Sequence, residues 1–398
     1  MLFDFLRNDH NPAIYYDWAR DIDLEQHGDD FFIIGDREYL LELVIKFKSE
    51  FKCKHCIMIS EHAEDVQEGS FLHRKISVDH DGWHCELEEE YANTLTSNMG
   101  VDSQKRASTV PGSKEIGKGQ EGNPLGKCDH THFRSGAGMG QYMTDGRPDL
   151  SFSTKELLRK ASAPTTVDML KCKKMASYVH GVPRCIQHFY WRSYMTDRLD
   201  TCVDSDWSGE VDTRKSTNGG TAGLEGVNLK HWCSSQATPS LSSGESELKA
   251  TVKGAIESLY ICHLLSQQGY NISIHIHTDS SAALGHMNRL GNGKKMRHLE
   301  GSCLWIQHLV RSKRVNIHKI SGIVNPADLF TKYLSFDRIM YLTNMLGYSL
   351  HDANGVELFC KSNQTDEISV EYNGDDGDYE ETDDYISSLW EYIGEYED

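Results

Sequence analysis

The sequence predicts a layered α+β or α/β domain over roughly residues 198–335, and three observations predict it. Strand-like stretches at 199–204, 216–224 and 227–233 follow one another closely. A long helix candidate at 243–267 comes next, with Leu248, Val252, Ala255, Ile256 and Leu259 on one face at 3.6-residue spacing. A period-2 strand, Ile272-Ser273-Ile274-His275-Ile276-His277, then opens a second run of strand and helix signals. The resulting order, β-β-β-α-β-α-α-β-α, fits a sheet covered by helices.

Each element has a local reason. Ser242 with Glu245 fits a capping box at the start of the long helix. Gly269 and Asn271 break the chain before the Ile-rich strand. A helix at 296–312 is marked by Leu299, Cys303, Ile306 and Val310, a strand at 314–320 follows, and a short helix starts after Pro326.

Other regions read differently. Residues 1–97 mix apolar clusters with acidic runs. Within them, Asp30 to Gly35 reads as a turn entering a buried strand, and Leu40, Val44 and Phe47 mark a helix over 37–51. Residues 98–131 carry six glycines and few apolar residues, so a flexible linker is expected. Residues 132–197 regain helix formers and predict a helical, connection-like region. The layered domain occupies 198–340 and a C-terminal extension 341–361. The tail, 362–398, holds 14 acidic residues and no Lys or Arg, which predicts an acidic disordered tail.

The chain's 398 residues carry 60 acidic and 41 basic side chains, a net charge of -19. That balance argues at first against a nucleic-acid partner, since phosphate affinity comes from Lys and Arg. Without the tail, the remainder is nearly balanced, at 46 acidic and 41 basic residues. Residues 199–335 are net +2, and seven Lys or Arg fall between 289 and 314 against the single acid Glu300. No apolar run reaches the ~18 residues of a membrane span, and no signal peptide is visible. Eleven scattered cysteines read as reduced thiols, so a cytoplasmic or nuclear, non-secreted protein is expected.

Four acids occupy the ends of elements in the regular stretch. Asp204 ends the first strand in VDSDW, and Glu247 lies early in the long helix. Asp279 ends the Ile-rich strand in TDSSAA, and Asp328 sits just inside the last helix in NPADLFTK. Singly, such acids are ordinary caps and dipole partners. Four together would repel one another and would suit hard divalent cations, two of which ~4 Å apart support in-line attack on a phosphodiester.

The stretches VDSDWSGEVDTRKSTNGG, SSGESELKA, TDSSAA, GNGKKMRHL and NPADLFTK resemble, in order and spacing, the ribonuclease H domain of copia-type retrotransposon Pol polyproteins. The resemblance implies a ribonuclease H-like mixed five-stranded sheet with flanking helices. It also implies endonucleolytic hydrolysis of the RNA strand of an RNA–DNA hybrid with two Mg²⁺ ions, Mn²⁺ being a possible substitute. Asp204, Glu247, Asp279 and Asp328 match the catalytic, metal-holding carboxylates, with Glu245 and Asp206 as near decoys. By that likeness Asp204 and Asp279, completed by Asp328, hold the ion that activates water. Asp204 and Glu247 hold the ion that steadies the leaving 3′ oxygen.

More weakly, His27 to Gly35 resembles the paired-aspartate hairpin of a reverse transcriptase palm, with His27 in place of the usual aromatic. Met139 to Met143 and Gly146 to Leu150 resemble the segment preceding ribonuclease H in the same polyproteins. Residues 1–97 therefore read as a partial palm and thumb with a vestigial pair, Asp29 and Asp30. No third palm aspartate is recognisable among Asp17, Asp21 and Asp23, so polymerase activity is not expected.

Arg289, Lys294, Lys295, Arg297 and His298 are the candidate nucleic-acid contacts, in and around a loop whose Gly291 and Gly293 let backbone approach a phosphate. Cys53-Lys54-His55-Cys56 lacks a well-spaced second pair and reads as ordinary sequence rather than a zinc site. His275 and His277 read as the polar face of their strand. The expected partners are an RNA–DNA hybrid and other proteins of the same element, with no membrane. The alternative is a catalytically silent nucleic-acid-binding remnant.

Overall fold

The computed structural model describes residues 4–101, 104, 106–120, 122–192, 196–291, 299 and 301–359. The acidic tail and Lys294, Lys295, Arg297 and His298 lie outside the described residues.

The chain opens with four antiparallel strands in sequence order: β1 (Leu6–Arg7), β2 (Ile14–Asp17), β3 (Ile22–His27) and β4 (Asp30–Ile34). Helix α1 (Arg37–Glu50) follows, its N-terminus capped by the Asp36 carboxylate. The stretch expected to be a buried strand is instead an edge strand, with Phe31 and Ile34 exposed and Phe32 and Ile33 only half-buried. A short apolar run signals a strand without saying which of its faces is covered. This small sheet docks on the end of a later helix, where Asn8 donates to Leu264 O at 3.3 Å and Trp18 packs over Gly269.

A second sheet begins with β5 (Glu68–Phe71), β6 (Arg74–Val78) and β7 (Gly82–Leu87). Helices α2 (Glu89–Asn98), α3 (Lys127–Met143), α4 (Ser151–Leu158) and α5 (Thr166–Gly181) follow, with short 3-10 turns at Thr144–Gly146 and Pro148–Leu150. Strand β8 (Arg184–Tyr190) then returns to the sheet.

The expected linker needs correction. Its last residues already belong to α3, and its described part is pinned along the helices. Ser108 N donates to Ser177 Oγ at 3.0 Å, and Leu125 N to Pro164 O at 3.0 Å. Gly112 is buried, and a Cβ there would lie 2.3 Å from the Tyr333 ring. That glycine serves close packing rather than flexibility.

The third sheet is mixed and five-stranded, as the family resemblance implies. Its antiparallel half comprises β9 (Arg198–Asp206), β10 (Thr217–Leu224) and β11 (Val227–Ser235). Helix α6 (Ser243–Gln267) leads to β12 (Ser273–Thr278), which runs parallel to β9. Helices α7 (Ser281–Met287) and α8 (Gly301–Arg311) precede β13 (Asn316–Lys319), parallel to β12. The strand order is β11-β10-β9-β12-β13. A 3-10 helix at Pro326–Phe330 stands where a short helix was expected after Pro326. Helix α9 (Phe336–Met345) and β14 (Tyr348–His351) end the described chain, and β14 pairs with β8. The expected C-terminal extension thus supplies, through Tyr348–His351, the edge strand of the second sheet.

Two apolar cores result. One joins α2–α5 to the second sheet and α9, and contains Phe133, Met175 and Tyr178. The other lies between the mixed sheet and α6–α8, around Leu199, Val203, Leu248 and Ile276. Leu329 and Phe330 of the 3-10 helix belong to the first core. The 3-10 helix also crosses β10 at Gly219, where a Cβ would lie 2.5 Å from Thr331 Cγ2 and 2.8 Å from Phe330 Cβ. None of the described helices is long and apolar enough to cross a membrane.

Candidate carboxylate site

The parallel pairing of β9 with β12 builds the site. Val203 and Thr278 are register partners, so Asp204, still within β9, and Asp279, just past the end of β12, come side by side. The crevice beyond the carboxyl ends of parallel strands is a recurrent place for ligands. Glu247 arrives from α6, which lies close against β9 because Gly254 has no side chain: a Cβ there would sit 2.6 Å from Val203 Cγ1. Ser205 Oγ and Ser246 Oγ, 2.7 Å apart, fix the register, and Ser205 N donates to Glu247 Oε1 at 3.3 Å.

One carboxylate oxygen each from Asp204, Glu247 and Asp279 lies within 4.8 Å of the other two. Asp204 and Glu247 are buried and Asp279 half-buried. Burial, reinforced by the charges of Asp204 and Asp279, pushes the Glu247 carboxyl up to about 8. Burial also raises Asp204, against the opposing pull of Lys332 and a hydrogen bond from Thr331. Glu247 Oε2 is buried without a hydrogen-bond partner among the described residues. An unsatisfied buried oxygen is costly, and a cation would satisfy it. The all-oxygen donor set fits a hard divalent ion such as Mg²⁺ or Mn²⁺.

Asp328 lies beside this group and outside it. Its helix is capped by Asn325, whose Nδ2 also donates to Val203 O at 3.1 Å and ties it to β9. Lys332 Nζ bridges Asp328 Oδ1 at 2.5 Å and Asp204 Oδ2 at 3.3 Å, and Arg338 Nη2 lies 3.3 Å from Asp328 Oδ2. The two decoys are engaged elsewhere. Glu245 accepts from Leu241 N at 2.9 Å and pairs with Lys249 at 2.8 Å, so it faces the helix start. Asp206 accepts from Thr217 N across the β9–β10 pair.

The other sequence candidates are dispersed. Asp29 and Asp30 are exposed at the β3–β4 turn. Arg289 is exposed beyond α7 and donates to His286 Nδ1 at 2.9 Å. Cys53 and Cys56 are exposed and join no metal-binding group among the described residues. His277 is hydrogen-bonded to Asp200 at 2.7 Å, and His275 to His318 at 2.8 Å. The cations against the site were not singled out from sequence: Lys332, Arg338, and Lys319, which donates to Asp279 O. An acid four residues before Lys332 on a helical turn was the available signal.

The sequence is similar to the Retrovirus-related Pol polyprotein from transposon RE1 of Arabidopsis thaliana, 26% identical over 222 residues. That match covers 55% of this chain and 15% of the relative, so the chain spans only a small part of that polyprotein. It is 24% identical over 146 residues to the corresponding polyprotein from transposon TNT 1-94 of Nicotiana tabacum, covering 36% of this chain and 11% of that one. An uncharacterized mitochondrial protein of Arabidopsis thaliana is 30% identical over 170 residues, which cover 42% of this chain and 68% of that protein. No family model matches the sequence. Among solved structures, a foamy viral protease-reverse transcriptase in complex with dsDNA aligns with 75% of this chain and 55% of its own, at 13% identity and a TM-score of 0.43. A compost-derived RNase H1 aligns with 34% of this chain and 94% of its own, at 16% identity and a TM-score of 0.28.

Proposed function

The chain belongs to the retrovirus-related Pol polyproteins of transposons, and from that premise we propose that residues 198–340 hydrolyse the RNA strand of RNA–DNA hybrids. The unit is read as a ribonuclease H-like domain of copia type, and residues 1–197 as a stretch related to the reverse transcriptase region of the same polyproteins. The observation that carries this reading is the convergence of Asp204, Glu247 and Asp279 around an unsatisfied Glu247 oxygen.

Asp204, Glu247 and Asp279 would hold divalent ions, with Asp328 joining from the rim. When bound, such ions supply an activated water and stabilise charge on the leaving oxygen. The chain's own groups prepare that chemistry. Ser205 and Ser246 orient Glu247, and Thr331 orients Asp204. Lys319, Lys332 and Arg338 supply positive charge at the rim, where a phosphate backbone would approach, and Arg289 is a further exposed cation, after α7. Residues 1–361 are nearly balanced, at 46 acidic and 41 basic side chains, so the whole-chain charge of -19 does not by itself argue against this partner.

The test is cleavage of labelled RNA–DNA hybrid with Mg²⁺ or EDTA. Wild type should cut only with the metal. Asp204→Asn and Glu247→Gln should each lower the rate by about 10³-fold or more, as expected when most of the transition-state stabilisation is lost. Equal cutting by all three proteins ends the assignment.

A further inference from the structure

We propose that Lys332 is the built-in counter-ion of the carboxylate cluster and leaves Asp204 and Asp328 when a divalent cation enters. The inference rests on the metal-site reading above and adds a competitor to it.

Three cations approach the cluster, and they are held differently. Arg338 is anchored by two backbone carbonyls, Ile323 O and Gly322 O, the latter at 3.0 Å. Its guanidinium is therefore committed to the loop before the 3-10 helix. Lys319 donates to the main-chain oxygen of Asp279 and not to a carboxylate. Lys332 alone of the three reaches two carboxylates, at 2.5 and 3.3 Å.

Its side chain is 42% exposed, whereas those of Asp204 and Asp328 are 3% and 11% exposed. The acids are fixed and the lysine has solvent to move into. The backbone need not follow, because Leu329, Phe330 and Thr331 are buried just before it. A compact ammonium on a flexible stem is suited to such exchange.

The consequence is a two-state cluster. Without metal, Lys332 offsets the repulsion between acids packed at the strand ends. With metal, the same oxygens are released to a stronger cation, and the ammonium is freed toward the rim where a phosphate would lie. Metal affinity is then set partly by the cost of displacing Lys332.

The experiment uses the full chain and compares wild type with Lys332→Met and Lys332→Arg. Mg²⁺ binding is followed by titration calorimetry at fixed ionic strength, and melting is followed in EDTA. Lys332→Met should bind Mg²⁺ about tenfold more tightly, the scale of one lost charge contact near a protein surface, and should melt earlier in EDTA. Lys332→Arg should restore the metal-free melting.

Unchanged or weaker Mg²⁺ binding by Lys332→Met, with wild type binding normally, would overturn the displacement. Absence of Mg²⁺ binding in both proteins would instead overturn the metal-site reading, and the displacement with it. Amine labelling of wild type gives a readout without a variant. Mg²⁺ should raise modification of Lys332 relative to Lys319, and no rise would count against the proposal.

Discussion

Asp149 and Glu247 are both buried carboxylates, and their surroundings treat them in opposite ways. Asp149 sits in the core beneath the second sheet, 4% exposed, with Arg147 1% exposed beside it. It accepts from Arg147 Nε at 3.0 Å, from Nη2 at 2.7 Å and from Tyr178 OH at 2.8 Å. Arg147 also donates to Pro183 O at 3.2 Å. Every charge there has an internal partner. Glu247, at the edge of the mixed sheet, faces two other acids and keeps one oxygen unpartnered among the described residues. Balanced burial of charge holds a fold together. Unbalanced burial is tolerated where something else is to bind.

The largest expected effect comes from unbalancing the balanced site. Arg147→Met leaves Asp149 with the Tyr178 hydroxyl as its one side-chain donor among the described residues. Breaking one side of a buried pair costs about 3–5 kcal/mol, read as a lower urea midpoint. Arg147→Met combined with Asp149→Leu should recover most of that loss, because replacing both partners removes the stranded charge. If the single change is harmless, the contrast between the two regions fails.

How much of this was legible follows the same division. The elements of the mixed sheet are consecutive in sequence and strongly patterned, so 243–267 could be read as a helix and 272–277 as a strand almost to the residue. That β12 would lie parallel to β9 and set Asp279 beside Asp204 is a pairing across more than seventy residues, which no local pattern encodes. The second sheet gathers strands from 68–87, 184–190 and 348–351, and the last is four residues long. Its neighbour is chosen by tertiary packing, so 341–361 looked like an appendage. Glycines 112 and 219 were equally opaque, since a glycine kept for close approach has the same letter as one kept for flexibility.

Gly219 gives the next effect in size and tests how the two regions are joined. It pairs with Asp204 across β9 and β10 and lies under the 3-10 helix that carries Asp328. Gly219→Ala should push Thr331 and Phe330 away at a cost of about 1–3 kcal/mol, the range for overpacking. Because Thr331 donates to Asp204, Mg²⁺ binding should weaken as well. A loss of stability with Mg²⁺ affinity unchanged would mean that the 3-10 helix does not position the acids.

The smallest effect per unit change is the pH dependence at Glu247, and its sign separates the two sites. In the unfolded chain this carboxyl titrates near its ordinary 4.5, and in the folded chain it is pushed up to about 8, by burial first and then by Asp204 and Asp279. Between those values the folded chain holds a proton that the unfolded chain has released. Stability in EDTA should therefore fall as pH rises from about 5 to 8, by at most about 1.4 kcal/mol per unit from this group. Glu247→Gln should flatten that fall and melt higher than wild type at pH 8, while matching it near pH 5, where Glu247 is already neutral. Saturating Mg²⁺ should flatten the fall in wild type too, since the bound cation favours the ionised acid. The carboxylate held by Arg147 offers no such gain: Asp149→Asn gives up a fully paired charge and should destabilise the chain. Melting curves of both variants across pH 5–8 decide it, and a Glu247→Gln protein less stable than wild type at pH 8 would place Glu247 among the structural acids.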